Sequence, residues 1–207
     1  ALLSKNTQRI YKSYSGLAES YRMLNDTVHA NIYFEKGLKL ARAANDNFSA
    51  AWFLTNWANL KKDKDALKLR LQAQKIWDGY GVNTMYVHNT GMIGVLYMKS
   101  YNNEKNSIQK QNYLELAEKY LTETINNAYD NDDIMNSIEF NKSLSELYEI
   151  NKDYKKAYLH LEKSTVLNDS LNSQEIKNSL AKLESQKELE LKNKQLQINH
   201  LELKAKE

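Results

Sequence analysis

Large and small residues recur along this chain at helical intervals, and one spacing occurs twice. The first copy consists of Tyr14, Leu17, Ala18, Tyr21, Ala30, Phe34 and Gly37. The second copy, with identical steps, consists of Asn141, Leu144, Ser145, Tyr148, Ala157, Leu161 and Ser164. Steps of three and four residues place side chains on one face of an α-helix. Each copy predicts two antiparallel helices that cross closely at small residues, and the recurrence predicts an array of such pairs.

The same pattern, read along the chain, predicts four helix pairs within residues 1–166. Asp26 follows the first helix and is expected to cap the second one. The second pair is degenerate, because Arg70 occupies a position where an aromatic residue or Leu is expected. The third pair carries an insertion of about eleven residues near 98–112, expected to form longer helices, an extended loop, or both. The helices of the first pair are predicted at 4–24 and 27–44, and those of the second pair at 48–60 and 66–77. The fourth pair is predicted to span 132–164.

Residues 167–207 follow a different pattern and are predicted to form one long helix. This segment contains no aromatic residue, and its apolar residues recur mostly at alternating steps of three and four. Such a seam is typical of a coiled coil, and the helix is expected to pair with its own copy in a dimer. Two consecutive steps of four around Lys187 predict a stutter. The predicted dimer seam consists of Ile176, Leu180, Leu183, Leu191, Ile198 and Leu201.

Composition supports an all-α fold and narrows the functional classes. The 207 residues are 42% hydrophobic and include six Gly but no Pro, which disfavours β-sandwich and α/β enzyme folds. Because 29 basic and 26 acidic residues leave a net charge of only +3, no nucleic-acid partner is expected. The absence of Cys excludes disulfides and thiolate ligands. The chain contains no run of about 18 apolar residues.

Two strings resemble the tetratricopeptide repeat: NDTVHANIYFEKGLKLA at 25–41 and NKDYKKAYLHLEKS at 151–164. The resemblance covers roughly residues 8–166 and is weakest in the second pair. It implies a superhelix of helix pairs that binds a protein or peptide ligand.

A second resemblance concerns residues 154–194. This stretch, with LNDSL at 167–171, is similar to a junction in Gram-negative membrane proteins that carry a repeat array outside the inner membrane. There the segment acts as a hinge and leads, through a membrane helix, to a histidine kinase core or a helix-turn-helix domain. The resemblance implies a periplasmic sensor region of a two-component or one-component system, with membrane attachment only through a downstream segment.

Candidate binding residues are those expected on the concave face of such an array. The alternative interpretation of these mixed charges is a solvated helix surface. Trp52, Phe53, Trp57 and Trp77 could form a ligand pocket, although core packing between pairs is the favoured interpretation. The candidate groove residues are Lys12, Glu19 and Arg22 from the first pair, His88 and Met98 from the third, and Glu139, Lys142, Glu146 and Glu149 from the fourth.

A catalytic role is not expected for this chain. His29, His88, His160 and His200 are far apart and lack the spacing of metal ligands. No glycine-rich phosphate loop is present. The sequence therefore predicts neither a catalytic residue nor a metal or cofactor site. The leading hypothesis is a non-catalytic periplasmic sensor and dimerisation module; the alternative is a cytosolic repeat scaffold or peptide-binding regulator whose C-terminal helix packs back on the array.

Overall fold

The computed structural model of the chain describes the backbone of residues 2–204 and the side chains of residues 6, 9–189, 192 and 193. The regular secondary structure of this part is helical, without a β-strand, which confirms the all-α prediction. A short 3₁₀ turn, Asp78–Tyr80, follows the fourth helix. The α-helices are α1 (Leu2–Met23), α2 (Thr27–Ala43), α3 (Asn47–Ala58), α4 (Asp63–Trp77), α5 (Thr84–Asn103), α6 (Ser107–Asp130), α7 (Ile134–Ile150) and α8 (Tyr154–Lys204).

Four of the connections between helices use the same turn. In each, a residue with positive φ is followed by an Asp whose side chain caps the next helix. The Asp26 carboxylate, as predicted, accepts a hydrogen bond from the His29 backbone N–H at 3.1 Å. The left-handed residue reverses the chain, and the Asp satisfies one of the free N–H groups of the new helix. The four turns are Asn25-Asp26, Asn45-Asp46, Asp132-Asp133 and Lys152-Asp153.

Small residues lie where the helices of a pair cross, as the repeated spacing predicts. In the first pair Ala18 and Ala30 are both fully buried. In the fourth pair the Ser145 hydroxyl donates to the backbone carbonyl of Ala157 at 2.8 Å. A larger side chain at either place would force the two helices apart.

Glycine is required where the first pair meets the second. A Cβ atom added to Gly37 would lie 2.2 Å from ring atoms of Phe53. Gly94 has a similar position against Leu121, whose Cγ would lie 2.7 Å from an added Cβ atom. The glycines thus let α2 pack against the aromatic ring of α3, and α5 against α6.

The insertion in the third pair is helical. α5 has 20 residues and α6 has 24, and only Glu104–Asn106 separates them. The extra length is held by a column of rings, in which Tyr97 stacks on Tyr113 at 6.0 Å and on Tyr120 at 5.7 Å. Of the predicted outcomes, longer helices without an extended loop account for the insertion.

The aromatic residues of the second pair contribute to the core. Phe53 and Trp77 are almost completely buried, and they join Phe34 in the cluster that packs α1 to α4 together. Trp57 is half-buried, and its indole N–H donates to Asn31 at 2.7 Å. A second cluster, around Leu121 and Phe140, packs the later helices.

The chain divides into two compact units, Ala1–Ser164 and Thr165–Glu207. The boundary falls inside α8, two residues before the end of the predicted repeat array. The proposed hinge at residues 167–171 is helical, without a break in α8. As far as it is described, to Lys204, unit 2 is therefore a single stretch of helix.

Candidate functional site

Of the three predicted groove residues on α1, Glu19 and Arg22 pair with one another, and Lys12 has no ion pair among the described residues. Glu19 and Arg22, both half-buried, bind one another, with Arg22 Nε donating at 2.9 Å and Nη2 at 2.5 Å. The hydrogen bond and charge of Glu19 raise the pKa of Arg22. Lys12 is exposed and makes no ion pair within 4 Å among the described residues. The side of α1 predicted to bind ligand therefore presents the ammonium of Lys12 as its unpaired charge.

Two predicted groove residues from different pairs meet in the structure. His88 Nδ1 on α5 lies 3.9 Å from Glu139 Oε2 on α7 and 3.3 Å from the side-chain oxygen of Asn136. Burial, reinforced by the positive charge of Arg70, lowers the pKa of His88, and the charge of Glu139 only partly offsets this. His88 is consequently neutral at pH 7 and contacts α7 as an uncharged imidazole.

The prediction for Met98 is wrong. Only 7% of its surface is exposed, and it belongs to the core cluster of Leu114, Ala117 and Leu121. Met98 follows Gly94 by four residues and so lies on the same side of α5, which packs against α6. That position leaves it without access to a ligand.

The predicted groove residues of α7 form an exposed charged face. Glu139, Lys142, Glu146 and Glu149 are all exposed. Among the described residues, none of these carboxylates forms an ion pair with Lys142 within 4 Å. The carboxylates of Glu146 and Glu149 and the ammonium of Lys142 are therefore available on this face to an external partner, while Glu139 also contacts His88.

A buried polar network was missed by sequence reasoning. Arg70 on α4 is only 1% exposed, and its guanidinium donates to Asn59 at 2.6 Å and to Asn89 at 3.4 Å. The Asn89 amide donates in turn to the Gln74 side chain at 2.8 Å. Burial lowers the pKa of Arg70 to about 10, against the raising effect of the Glu139 charge.

Arg70 therefore stays protonated at neutral pH and places a positive charge beneath His88 and Glu139. The nearest signal in the sequence was Arg70 itself, which stands where the repeat pattern calls for a large apolar residue. Nothing in the helical spacing identifies Asn59, Asn89 or Gln74 as its neighbours. This cluster links α3, α4 and α5, with His88 and Glu139 at its edge.

The predicted dimer seam on α8 is solvent-exposed as far as it is described. Ile176, Leu180 and Leu183 are 62%, 57% and 65% exposed. The side chains of Leu191, Ile198 and Leu201 lie outside the described residues. Unit 2 thus carries three large aliphatic side chains within eight residues, all open to solvent.

The described part of the chain includes neither a metal-binding cluster nor a membrane-spanning helix. The His, Asp and Glu side chains of that part form no group of three that could hold a metal ion. None of the helices it contains is long and apolar enough to cross a membrane.

Comparison with known proteins adds no assignment. No protein-family model matches the chain, and a search of curated proteins finds no significant match. The candidate sites are therefore interpreted from their own geometry.

Proposed function

We propose that this chain is a non-catalytic sensor and protein-interaction module of a membrane signalling protein. In this proposal the tetratricopeptide-like array binds a protein or peptide ligand. The long C-terminal helix forms a homodimer and transmits the binding event toward a kinase or transcription-factor output. The module acts in the periplasm.

Support for ligand binding comes from the charges that unit 1 leaves unpaired. The exposed face of α7 carries Glu146 and Glu149, while α1 carries Lys12. Exposed charged residues add little to folding stability, but they orient and select a partner. A protein or peptide that presents complementary charges fits these faces better than a small apolar molecule does.

The observation that carries the proposal is the exposed apolar stripe on α8. Ile176, Leu180 and Leu183 recur at steps of four and three on a continuous helix. Each side chain gains about 1.5–3 kcal/mol when it is fully buried. A second copy of α8 offers the same stripe, so a two-stranded coiled coil would bury both.

Sedimentation equilibrium of the 207-residue chain tests the dimer. We expect a dimer at micromolar concentration and a shift toward monomer in Ile176→Lys and Leu183→Lys. Leu189→Lys is the matched control, because Leu189 is also 59% exposed but lies about 140° around α8 from Ile176 and about 180° from Leu180. A wild-type monomer at high micromolar concentration, or equal effects of Leu189→Lys and Ile176→Lys, would contradict the proposal.

The proposed compartment has a separate test. Alkaline phosphatase fused within the full-length protein just after Glu207 is expected to be active, because this enzyme folds only where disulfides can form. A matching fusion in the output domain should be inactive. An inactive fusion after Glu207, with the protein expressed, would favour the cytosolic alternative.

A further inference from the structure

A cleft between α1 and α3 has the form of a side-chain binding pocket. Its volume is about 180 Å³. Pockets that enclose a whole drug-sized molecule are larger, about 300–1,000 Å³. The dimensions suit one large side chain of a partner. The cleft is lined by Tyr11, Lys12, Ser15, Phe48, Ser49 and Trp52, with Phe53 beneath them.

Aromatic rings that brace one another form the apolar part of the cleft. Trp52 meets Phe53 edge to face at 5.3 Å. Phe48 is 48% exposed, and its ring is held edge-on against Trp77 at 5.1 Å. Because these rings are fixed by packing, an incoming apolar side chain would bury surface at little cost in ordering the protein.

The polar side of the cleft leaves a cation available. The Asp46 carboxylate near it accepts hydrogen bonds from Tyr11 Oη and from the backbone N–H and hydroxyl of Ser49. Burial raises the pKa of Asp46, but these hydrogen bonds, with a smaller contribution from the positive charge of Lys12, outweigh it and lower the pKa below its ordinary value. Asp46 is thus ionised and already engaged, while Lys12 at the rim forms no ion pair within 4 Å among the described residues.

We propose that this cleft binds one large apolar side chain of a partner polypeptide that carries a carboxylate next to it. The aromatic rings receive the apolar side chain, and Lys12 pairs with the carboxylate. This inference rests on the proposed binding function of the array and names the chemistry of its ligand. A nucleic acid would require several phosphate-binding cations, and the cleft presents one.

Fluorine NMR of 5-fluorotryptophan-labelled protein tests the cleft directly. The chain has three Trp residues, and Trp52→Phe assigns the Trp52 signal. The probes are the capped dipeptides acetyl-Phe-Glu-amide, acetyl-Ala-Glu-amide and acetyl-Phe-Gln-amide. We expect millimolar acetyl-Phe-Glu-amide to shift the Trp52 signal and acetyl-Ala-Glu-amide to leave it unchanged.

The contribution of Lys12 is measured by comparing charged and uncharged probes. Acetyl-Phe-Gln-amide should bind about two- to five-fold more weakly than acetyl-Phe-Glu-amide, as expected for an exposed ion pair. Lys12→Gln should abolish that difference, and Lys142→Gln on α7 should preserve it. Ser15→Leu fills the cleft without removing an aromatic ring and should abolish binding. It keeps the test usable if a Trp52 variant folds poorly.

Three outcomes would overturn the inference: equal shifts with the Phe and Ala probes, a response of Trp57 or Trp77 alone, or a charge preference that survives Lys12→Gln. The cleft proposal and the dimer proposal are tested independently. Ser15→Leu leaves the α8 stripe intact, and a wild-type chain that dimerises but does not bind these probes would refute the cleft proposal alone.

Discussion

The first and fourth helix pairs share a geometry but differ in chemistry. In the first pair Tyr21 stacks on Tyr33, with ring centroids 5.5 Å apart. At the corresponding places of the fourth pair Tyr148 stacks on His160, also at 5.5 Å. Both pairs begin their second helix with a positive-φ residue followed by a capping Asp. The backbone arrangement is thus repeated while the groups that fill it change.

Two small residues of the repeated spacing show which property the first and fourth pairs share. Ala18 and Gly37 in the first pair correspond to Ser145 and Ser164 in the fourth. The hydroxyls of both serines donate to backbone carbonyls, Ser145 to Ala157 and Ser164 to Ile138. Small volume is therefore the common requirement, and a hydroxyl is tolerated because a helix carbonyl accepts its hydrogen bond.

The largest loss of stability is expected at Gly37, and it should exceed the loss at the corresponding Ser164. Gly37→Ala would drive a methyl group into the Phe53 ring, and we expect a loss of about 2 kcal/mol in the free energy of unfolding. Ser164→Ala removes one hydrogen bond and should cost about 1 kcal/mol. Urea denaturation followed by tryptophan fluorescence reports both, because all three Trp residues lie in unit 1. A stabilising Gly37→Ala would show that α2 and α3 are not in close contact.

The two stacked tyrosines should differ when their hydroxyls are removed. Tyr148 is 6% exposed, and its hydroxyl donates to Glu118 Oε1 at 2.7 Å. Burial and this hydrogen bond raise the pKa of Tyr148. Tyr148→Phe should cost about 1.5 kcal/mol, since the carboxylate loses a buried donor.

Tyr21→Phe is the matched control for Tyr148→Phe. Tyr21 Oη has no hydrogen bond to a described residue, so its removal should cost less than about 0.5 kcal/mol. Equal losses in the two variants, measured from the same urea curves, would contradict a specific role for Glu118.

A substitution in one of the turns is expected to stabilise the fold rather than destabilise it. Lys152 has a φ of 59°, and Asn25 has 58° at the same place in the first pair. A left-handed conformation costs a residue with a bulky side chain about 1 kcal/mol, and Gly avoids that cost. Lys152→Gly should therefore stabilise unit 1 by up to about 1 kcal/mol, and Asn25→Lys should destabilise it. Thermal unfolding midpoints would refute this if Lys152→Gly were destabilising.

The smallest expected effect is a dependence on pH at the stacked position. Burial, with the charges of Lys163 and Lys156, lowers the pKa of His160. The unfolded chain then binds a proton at His160 more readily than the folded chain. The contribution of His160 is fully present above its ordinary pKa of about 6.5 and declines as the pH falls below that value.

His160→Tyr gives the fourth pair the ring that the first pair has at Tyr33. The decrease in stability between pH 7.5 and pH 5.5 should be smaller in this variant. The decrease in stability that remains in His160→Tyr should include a contribution from His88, whose pKa is also lowered. Urea midpoints at the two pH values provide the measurement, and an unchanged decrease would exclude His160 as a contributor.

Features set by local sterics were predictable from the sequence. The burial of Ala18 and Ala30 follows from helical spacing, and the Asp26 cap follows from its place before the first turn. Met98 was predicted to be exposed in the groove, but α6 covers it. How far α6 covers α5 depends on how much the insertion lengthens α5, and helical spacing does not give that length.

The buried polar network could not be predicted in the same way. Arg70 stands out as an anomaly in the repeat pattern, but its acceptors Asn59 and Asn89 come from two other segments. Polar side chains in such a cluster satisfy one another across helices, and helical periodicity carries no information about those pairings.

Cysteine cross-linking of α8 tests the proposed dimer most directly, because the chain has no native Cys. Ile176 lies on the apolar stripe, and Asn178 lies about 160° away around the helix. Mild oxidation of dilute Ile176→Cys should give a covalent dimer in high yield, whereas Asn178→Cys should stay largely monomeric. Equal cross-linking of the two variants, or none in Ile176→Cys, would contradict dimerisation through this stripe.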